Sequence, residues 1–95
     1  MAYVYLLRCA DDSLYCGWTI DVERRLAAHA AGRASRYTSS RRPLELAAAW
    51  EVPTRTQARR LEARVKRLTR TQKLALLGGA ALDGATPVRF SPLAP

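Results

Sequence analysis

The chain has 95 residues, a length that allows one domain and excludes two independently folding units. Its content of 48% hydrophobic and 25% charged residues is typical of a globular protein and excludes a wholly disordered tail or a collagen-like fibre. Lys and Arg number 16 against 8 Asp and Glu, and the formal charge of +8 favours a polyanionic partner, either nucleic acid or an anionic membrane surface.

Membrane insertion, a disulfide framework and a zinc site are not expected from the sequence. No apolar run approaches the roughly 18 residues of a membrane span, and no basic leader precedes the first apolar stretch, so we expect a cytoplasmic protein without a membrane partner. Cys9 and Cys16 are too few for a disulfide framework. Because His29 is the only histidine, no Cys/His group has the spacing of a zinc site.

The N-terminal segment predicts a β-hairpin. Residues 3–9 and 14–18 are rich in β-branched and aromatic side chains, and the residues between them include the turn sequence Asp11-Asp12-Ser13. In an antiparallel pair, directly opposed residues point to the same face and their residue numbers add to a constant. Any two residues across the hairpin therefore share a face only if the sum of their numbers is odd or even as that constant is. A register that brings Tyr5 and Tyr15 to one face therefore puts the two cysteines on opposite faces, and we expect two free thiols.

The central segment predicts a helix, a loop and a third strand. Asp21 is a suitable N-cap for a helix over about residues 22–31, which should stop at Gly32. Residues 32–43 are polar and basic and predict a loop. Residues 44–52 alternate partially between apolar and polar side chains, which favours a strand.

The last part of the chain predicts two more helices and a tail. Thr54 precedes an apolar stripe at Ala58, Leu61, Val65 and Leu68, whose steps of three and four indicate a helix. A short helix should follow over residues 71–77 and end at Gly78-Gly79. The sequence thus predicts an α+β fold, a small three-stranded antiparallel sheet flanked by helices, with one domain over residues 1–79. Residues 80–95, including Val88-Arg89-Phe90, should form a loosely held tail.

One acidic residue lies within the strongly basic second long helix. Glu62 is the only acidic residue between Glu51 and Asp83. It can be an ordinary surface charge that pairs with Lys66 or Arg59. It can also be an oxygen ligand for Mg²⁺, which commonly binds one or two carboxylates together with substrate phosphates.

Polar side chains of the first helix and the hairpin can also take part in catalysis. Arg25 and His29 share one helix face, where an arginine can hold a phosphate and a histidine can move a proton. The alternative is that both are surface residues and that His29 stabilises the helix C-terminus. Tyr3, Tyr5 and Tyr15 can likewise be packing residues of the hairpin.

The order and context of these residues resemble the GIY-YIG nuclease family. Tyr3-Val4-Tyr5 precedes Tyr15-Cys16-Gly17, and Arg25 and Glu62 follow on successive helices. The resemblance covers roughly residues 2–77. Two further stretches, Tyr37-Thr38 before Arg41-Arg42-Pro43 and Leu61-Glu62-Ala63 before Lys66-Arg67-Leu68, are similar to the short stand-alone bacterial members.

The resemblance implies roles for individual residues. Tyr5 and Tyr15 correspond to the motif tyrosines, Arg25 to the phosphate-stabilising arginine and Glu62 to the metal-binding glutamate. His29 falls where several members keep a histidine. The residues that we expect to contact nucleic acid are Gly17, Arg33, Arg36, Tyr37, Arg41, Arg42, Arg59, Lys66 and Arg67.

The sequence therefore predicts a metal-dependent DNA endonuclease that uses Mg²⁺ or Mn²⁺ and acts on branched, flapped or otherwise distorted DNA. RNA is the other nucleic acid that the basic charge accommodates, and we expect a monomer or weak dimer. One alternative is a catalytically silent nucleic-acid-binding or adaptor domain, and another is an RNA-associated basic protein whose tyrosines only pack. Glu62 favours the enzyme, because an acid in a basic helix gives a pure binder no electrostatic advantage.

Overall fold

The computed structural model describes residues 1–77, 82 and 84–88. It has an α+β fold with a four-stranded antiparallel sheet in the order β2-β1-β3-β4. The elements are β1 (Ala2–Arg8), β2 (Leu14–Thr19), α1 (Val22–Ala30), α2 (Arg36–Ser39), β3 (Glu45–Val52), α3 (Arg55–Lys66), α4 (Arg70–Leu76) and β4 (Thr86–Val88). The predicted fold class is confirmed, and the strand number is the part of the prediction that differs.

The hairpin register places the motif tyrosines on one face of the sheet. Tyr5 lies opposite Gly17 and Leu7 lies opposite Tyr15, without a bulge between β1 and β2. Side chains alternate along each strand, so Tyr5 and Tyr15 point to the same side. The free thiols of Cys9 and Cys16 confirm the expectation from parity.

Each face of the sheet packs against different helices. On one face, Val4, Leu6 and Trp50 pack with Leu61 and Val65 of α3 in the larger core. On the other face, Tyr5, Leu7 and Ala49 form a smaller buried cluster, against which Leu26 of α1 packs. The period of two in β1 thus decides which helix each strand residue meets.

Side-chain caps fix where the longer helices begin. Asp21 accepts a hydrogen bond from the backbone N–H of Arg24 at the start of α1, and Thr54 accepts one from Gln57 at the start of α3. Helix α1 ends at Ala30, shortly before Gly32, whose φ of 78° is a left-handed conformation that favours glycine. The predicted bounds of both helices therefore agree with the structure to within a few residues.

Two short elements were not predicted from the sequence. Helix α2 lies within the predicted loop and begins where the Ser35 hydroxyl accepts the N–H of Thr38. Strand β4 pairs with Ala49–Glu51 of β3, so the sheet has four strands rather than three. A four-residue helix and a three-residue strand that contains Pro87 are too short to show a period in the sequence.

Some predictions fall on residues outside the described part of the chain. They are the helix stop at Gly78-Gly79, the residues Arg89-Phe90 and most of the tail over residues 80–95, so the domain boundary at residue 79 stays a prediction. Among the described residues, no helix is long and apolar enough to cross a membrane.

Candidate active site

A groove of about 330 Å³ runs beside β2 and joins residues from three parts of the fold. The lining residues are Tyr5, Tyr15, Gly17, Trp18, Thr19 and Ile20 from the hairpin and the residue that follows it, Arg25 from α1, and Arg55 and Glu62 from α3. Helices α1 and α3 cover opposite faces of the sheet, and both reach the groove because β2 is an edge strand. The fold thus brings together five of the residues singled out in the sequence: Tyr5, Tyr15, Gly17, Arg25 and Glu62.

Gly17 allows the close approach of the Tyr5 ring. The two residues are directly opposed across β1 and β2, and a Cβ atom added at position 17 would lie 2.6 Å from Cζ of Tyr5. A side chain at this position would displace the tyrosine from its neighbours. Its expected contact with nucleic acid stays a prediction, whereas the structure gives this glycine a role in seating Tyr5.

The hydroxyl of Tyr5 is hydrogen-bonded to a buried histidine. Tyr5 and His29 are each 2% exposed, and Oη of Tyr5 lies 2.8 Å from Nε2 of His29. Burial raises the pKa of Tyr5, the nearby Tyr15 raises it further and Arg25 opposes the rise. Burial and then the positive charge of Arg25 lower the pKa of His29. At neutral pH the pair is therefore a neutral phenol and a neutral imidazole.

Tyr15 is held from two sides by aromatic contacts. Its ring meets that of His29 edge-on at a centroid distance of 5.4 Å and stacks on Tyr37 at 5.8 Å. The guanidinium of Arg41 lies 3.8 Å from the centroid of the Tyr37 ring and also donates to a carboxylate oxygen of Asp11. Tyr37 and Arg41, expected to contact nucleic acid, thus form a layer that supports Tyr15.

Glu62 can accept a cation at the mouth of the groove. Its side chain is 21% exposed, and Nζ of Lys66 lies 3.8 Å from its Oε2, beyond hydrogen-bond distance. No group of three His, Cys, Asp or Glu residues suited to a metal occurs within the described ranges. A cation here would therefore be held by this one carboxylate with water and phosphate oxygens, a donor set that fits Mg²⁺.

The other residues expected to bind nucleic acid lie outside this groove. Arg42 donates to the backbone carbonyls of Ser39 and Ala30, so part of its hydrogen-bonding capacity is used within the fold. Arg33, Arg36 and Arg59 are exposed at the surface, Lys66 pairs with Glu62, and Arg67 lines a separate groove on α3.

Sequence reasoning missed two residues of the site. Arg55 lines the groove about two helical turns before Glu62, and that spacing alone would have placed both on one side of α3. Thr38 lies behind the groove with its Oγ1 2.8 Å from Nδ1 of His29. Its place in the short helix α2 and its distance along the chain from His29 left no pattern in the sequence.

Known proteins are similar to this chain in sequence. The family model of the GIY-YIG catalytic domain matches residues 1–75. A UPF0213 protein of Nitratidesulfovibrio vulgaris is 49% identical over 87 residues, which cover 87% of this chain and 79% of that protein. The UPF0213 protein BH0048 of Halalkalibacterium halodurans is 45% identical, with 88% of this chain and 92% of that protein covered.

A solved structure agrees with these sequence matches. The solution NMR structure of the UPF0213 protein BH0048 from Bacillus halodurans matches with a TM-score of 0.54 and 42% sequence identity. The match covers 88% of this chain and 87% of the solved chain. The fold described above is therefore that of an experimentally solved relative.

The lowered pKa of His29 predicts a pH-dependent stability. The unfolded chain takes up a proton on His29 as the pH falls below its ordinary pKa of 6.5, whereas the folded chain takes it up only at lower pH. The free energy of unfolding should therefore fall between about pH 7.5 and pH 5.5, by at most about 1.4 kcal/mol per pH unit for this one proton. Urea unfolding at the two pH values measures the change.

His29→Gln is the matched control for this measurement, since glutamine keeps hydrogen-bonding groups but does not titrate in this range. The variant should lose less stability than the wild type over the same pH interval. An equal loss in both proteins would contradict the assignment of this pH dependence to His29.

Proposed function

The chain belongs to the GIY-YIG catalytic domain family, a nuclease family, and on that premise we propose that it is a metal-dependent endonuclease acting on branched, flapped or otherwise distorted DNA. The observation that carries the proposal is the shared groove of Tyr5, Tyr15, Arg25 and Glu62. These side chains supply a proton acceptor, a fixed cation beside the phosphate and a carboxylate for a metal ion. Hydrolysis of a phosphodiester requires these three elements.

Tyr5 is the better placed of the two tyrosines to receive a proton. As a water molecule gives its proton to the Tyr5 oxygen, the phenol passes its own proton to Nε2 of His29, 2.8 Å away. The hydroxide attacks phosphorus, the bond to the leaving oxygen breaks, and that oxygen takes a proton from water. The imidazolium then gives its proton back to the Tyr5 oxygen, which releases one to water in the groove, so the protein ends as it began.

Arg25 acts on the phosphate during this step, and a metal ion held by Glu62 would assist it. Arg25 lies in the groove with the tyrosines and neutralises the charge that builds on the non-bridging oxygens. A Mg²⁺ or Mn²⁺ ion bound by Glu62 would supply Lewis-acid stabilisation of the same charge. Arg55 lies about 10 Å from Glu62 along the axis of α3, where it can hold a neighbouring phosphate of the same strand.

A second basic groove supports a branched substrate. It has a volume of about 500 Å³ and lies on the other flank of α3, lined by Arg60, Arg64 and Arg67 together with Val52, Gln57, Leu61, Ala63 and Gly84. The two grooves are separated by helix α3, which is about 10–12 Å wide with its side chains. This arrangement suits two nucleic-acid segments that diverge from a branch point. Arginine contacts with phosphates position the substrate without selecting a sequence.

A catalytically silent nucleic-acid-binding domain is the alternative, and one contact favours it. The ammonium of Lys66 lies 3.8 Å from the Glu62 carboxylate and can neutralise it without a metal ion. RNA carries the same backbone charge and is a further candidate substrate. The cytoplasmic location and the monomeric or weakly dimeric state stay predictions.

Glu62→Gln separates the enzyme from the silent binder. We expect wild-type protein with Mg²⁺ or Mn²⁺ to cut end-labelled flap or junction DNA, and the variant to cut at least about 100-fold more slowly because it loses the metal ligand. DNA binding by the variant should be unchanged or tighter, since a repulsive charge has been removed. Cleavage assays on a panel of DNA and RNA substrates, with parallel binding assays, measure both effects.

Glu23→Gln is the matched control, because Glu23 is an exposed acid of α1 outside the groove lining. Cleavage by Glu62→Gln equal to that by Glu23→Gln would contradict the metal assignment. Failure of the folded wild-type protein to cut any substrate of the panel would refute the enzyme and favour the silent binder.

The second groove makes a separate prediction about substrate shape. The double variant Arg60→Ala with Arg64→Ala should bind flap DNA more weakly, with a smaller loss on linear duplex of equal length, because only the branched substrate fills both grooves. Its salt dependence on flap DNA should fall by about one unit of slope for each lost phosphate contact. Fluorescence titrations at several salt concentrations measure both quantities.

Arg24→Ala removes an exposed arginine of α1 that neither groove contains, and it serves as the control. Equal losses on flap and duplex DNA in the double variant would contradict the assignment of this groove to a second arm.

A further inference from the structure

A buried hydroxyl lies behind the candidate active site. Thr38 is 0% exposed, and its Oγ1 lies 2.8 Å from Nδ1 of His29. The other ring nitrogen of His29 lies 2.8 Å from Oη of Tyr5. A hydrogen-bonded chain of side chains therefore runs from the buried threonine through the histidine to the tyrosine in the groove.

The proton on Tyr5 determines which atom donates in the hydrogen bond between Tyr5 and His29. As a neutral phenol, Tyr5 has one proton to donate, and His29 Nε2 is its one hydrogen-bond partner among the described residues. A buried donor without an acceptor costs roughly 1–3 kcal/mol, so the phenol is expected to donate to Nε2. Nε2 must then be free of hydrogen, and the neutral ring carries its proton on Nδ1.

The surroundings of Thr38 are consistent with that proton position. Oγ1 of Thr38 lies 2.9 Å from the hydroxyl oxygen of Ser35 and 3.5 Å from the carbonyl oxygen of the same residue. The hydroxyl proton of Thr38 therefore has acceptors in Ser35, and its oxygen is free to accept the Nδ1–H of His29. In the opposite arrangement, Nε2–H would donate to the Tyr5 oxygen, and the phenol proton would be left without an acceptor among the described residues.

We propose that Thr38 is a positioning residue that holds the proton of His29 on Nδ1, so that Nε2 accepts the proton of Tyr5. Thr38 touches neither water nor phosphate in the reaction and acts through His29. The catalytic consequence rests on the proposed function, whereas the position of the proton does not depend on it. One buried hydroxyl thus determines the direction in which the Tyr5–His29 pair can move a proton.

The groups that face His29 keep the ring neutral. Tyr5 from β1 and Tyr15 from β2 contact the ring, and Thr38 from α2 lies at Nδ1. The positive charge of Arg25, on the same helix as His29, disfavours the imidazolium. Near pH 8 the ring is therefore neutral and carries one proton, whose position can be measured.

The single histidine makes the measurement direct. Since the sequence contains one histidine, a ¹⁵N spectrum of the imidazole shows one pair of nitrogen signals for the folded protein. We expect the wild type near pH 8 to have a protonated Nδ1 and an unprotonated Nε2. Thr38→Val, which replaces the hydroxyl by a methyl group, should shift the proton toward Nε2, and Thr38→Ser should restore the wild-type signals.

Cleavage kinetics provide a second readout. Thr38→Val should lower kcat by about 10–100-fold, as the loss of a partner that orients a catalytic group commonly does, with little change in KM. Thr38→Ser should recover most of the loss. Ser39→Ala is the matched control, because Ser39 is on the same helix and its hydroxyl donates to the Arg36 carbonyl rather than to His29.

Several outcomes would overturn the proposal. A wild-type ring protonated on Nε2 refutes it whether or not any variant folds, and an unchanged proton position in folded Thr38→Val refutes it as well. A protein that cuts no DNA but shows the Nδ1 proton, and loses it in Thr38→Val, would refute the proposed function and support the positioning role.

Discussion

The hydrogen bond between Tyr5 and His29 is the contact around which the candidate site is arranged. Both side chains are almost fully buried, and a buried polar group that loses its partner costs roughly 1–3 kcal/mol. The tyrosine reaches the histidine because Gly17 leaves space for its ring on the neighbouring strand. Helix α1 supplies His29, and Thr38 of α2 lies at the second ring nitrogen of that histidine. A change in any of these elements would leave a buried donor or acceptor unpaired.

The position of β2 at the edge of the sheet gives the site access to both faces. Arg25 approaches from the helix on one face and Glu62 from the helix on the other, whereas an inner strand would have been flanked by backbone on both sides. In the resulting shallow groove, the neutral Tyr5–His29 pair is buried, whereas the charged side chains of Glu62 and the arginines are more exposed. This separation keeps the Tyr5–His29 pair out of bulk water while Glu62 and the arginines remain open to a polyanion.

The sequence predicted those parts of the fold that repeat a pattern over many residues. The hairpin followed from its β-branched and aromatic runs, and strand alternation linked a shared tyrosine face to two free thiols. Helices α1 and α3 followed from their capping residues and apolar stripes. Helix α2 and strand β4 were missed because each is too short to repeat a period. The sequence singled out Tyr5, Tyr15, Arg25 and Glu62 through their motifs, and these residues line one groove. The contacts that orient them could not be predicted. Arg41 pairs with Asp11 in the hairpin turn, and no local pattern indicates a contact that depends on the tertiary fold.

The proposed function depends most on binding of a divalent cation at Glu62 beside the two tyrosines, and paramagnetic NMR tests this binding most directly. Small amounts of Mn²⁺ added to ¹⁵N-labelled protein, with Mg²⁺ as the diamagnetic reference, broaden signals near the bound ion. Signals around Glu62 and Gly17 should broaden first, and Glu62→Gln should remove the effect. Broadening that begins at the exposed carboxylates of Asp11 and Asp12, or that persists in Glu62→Gln, would contradict the account.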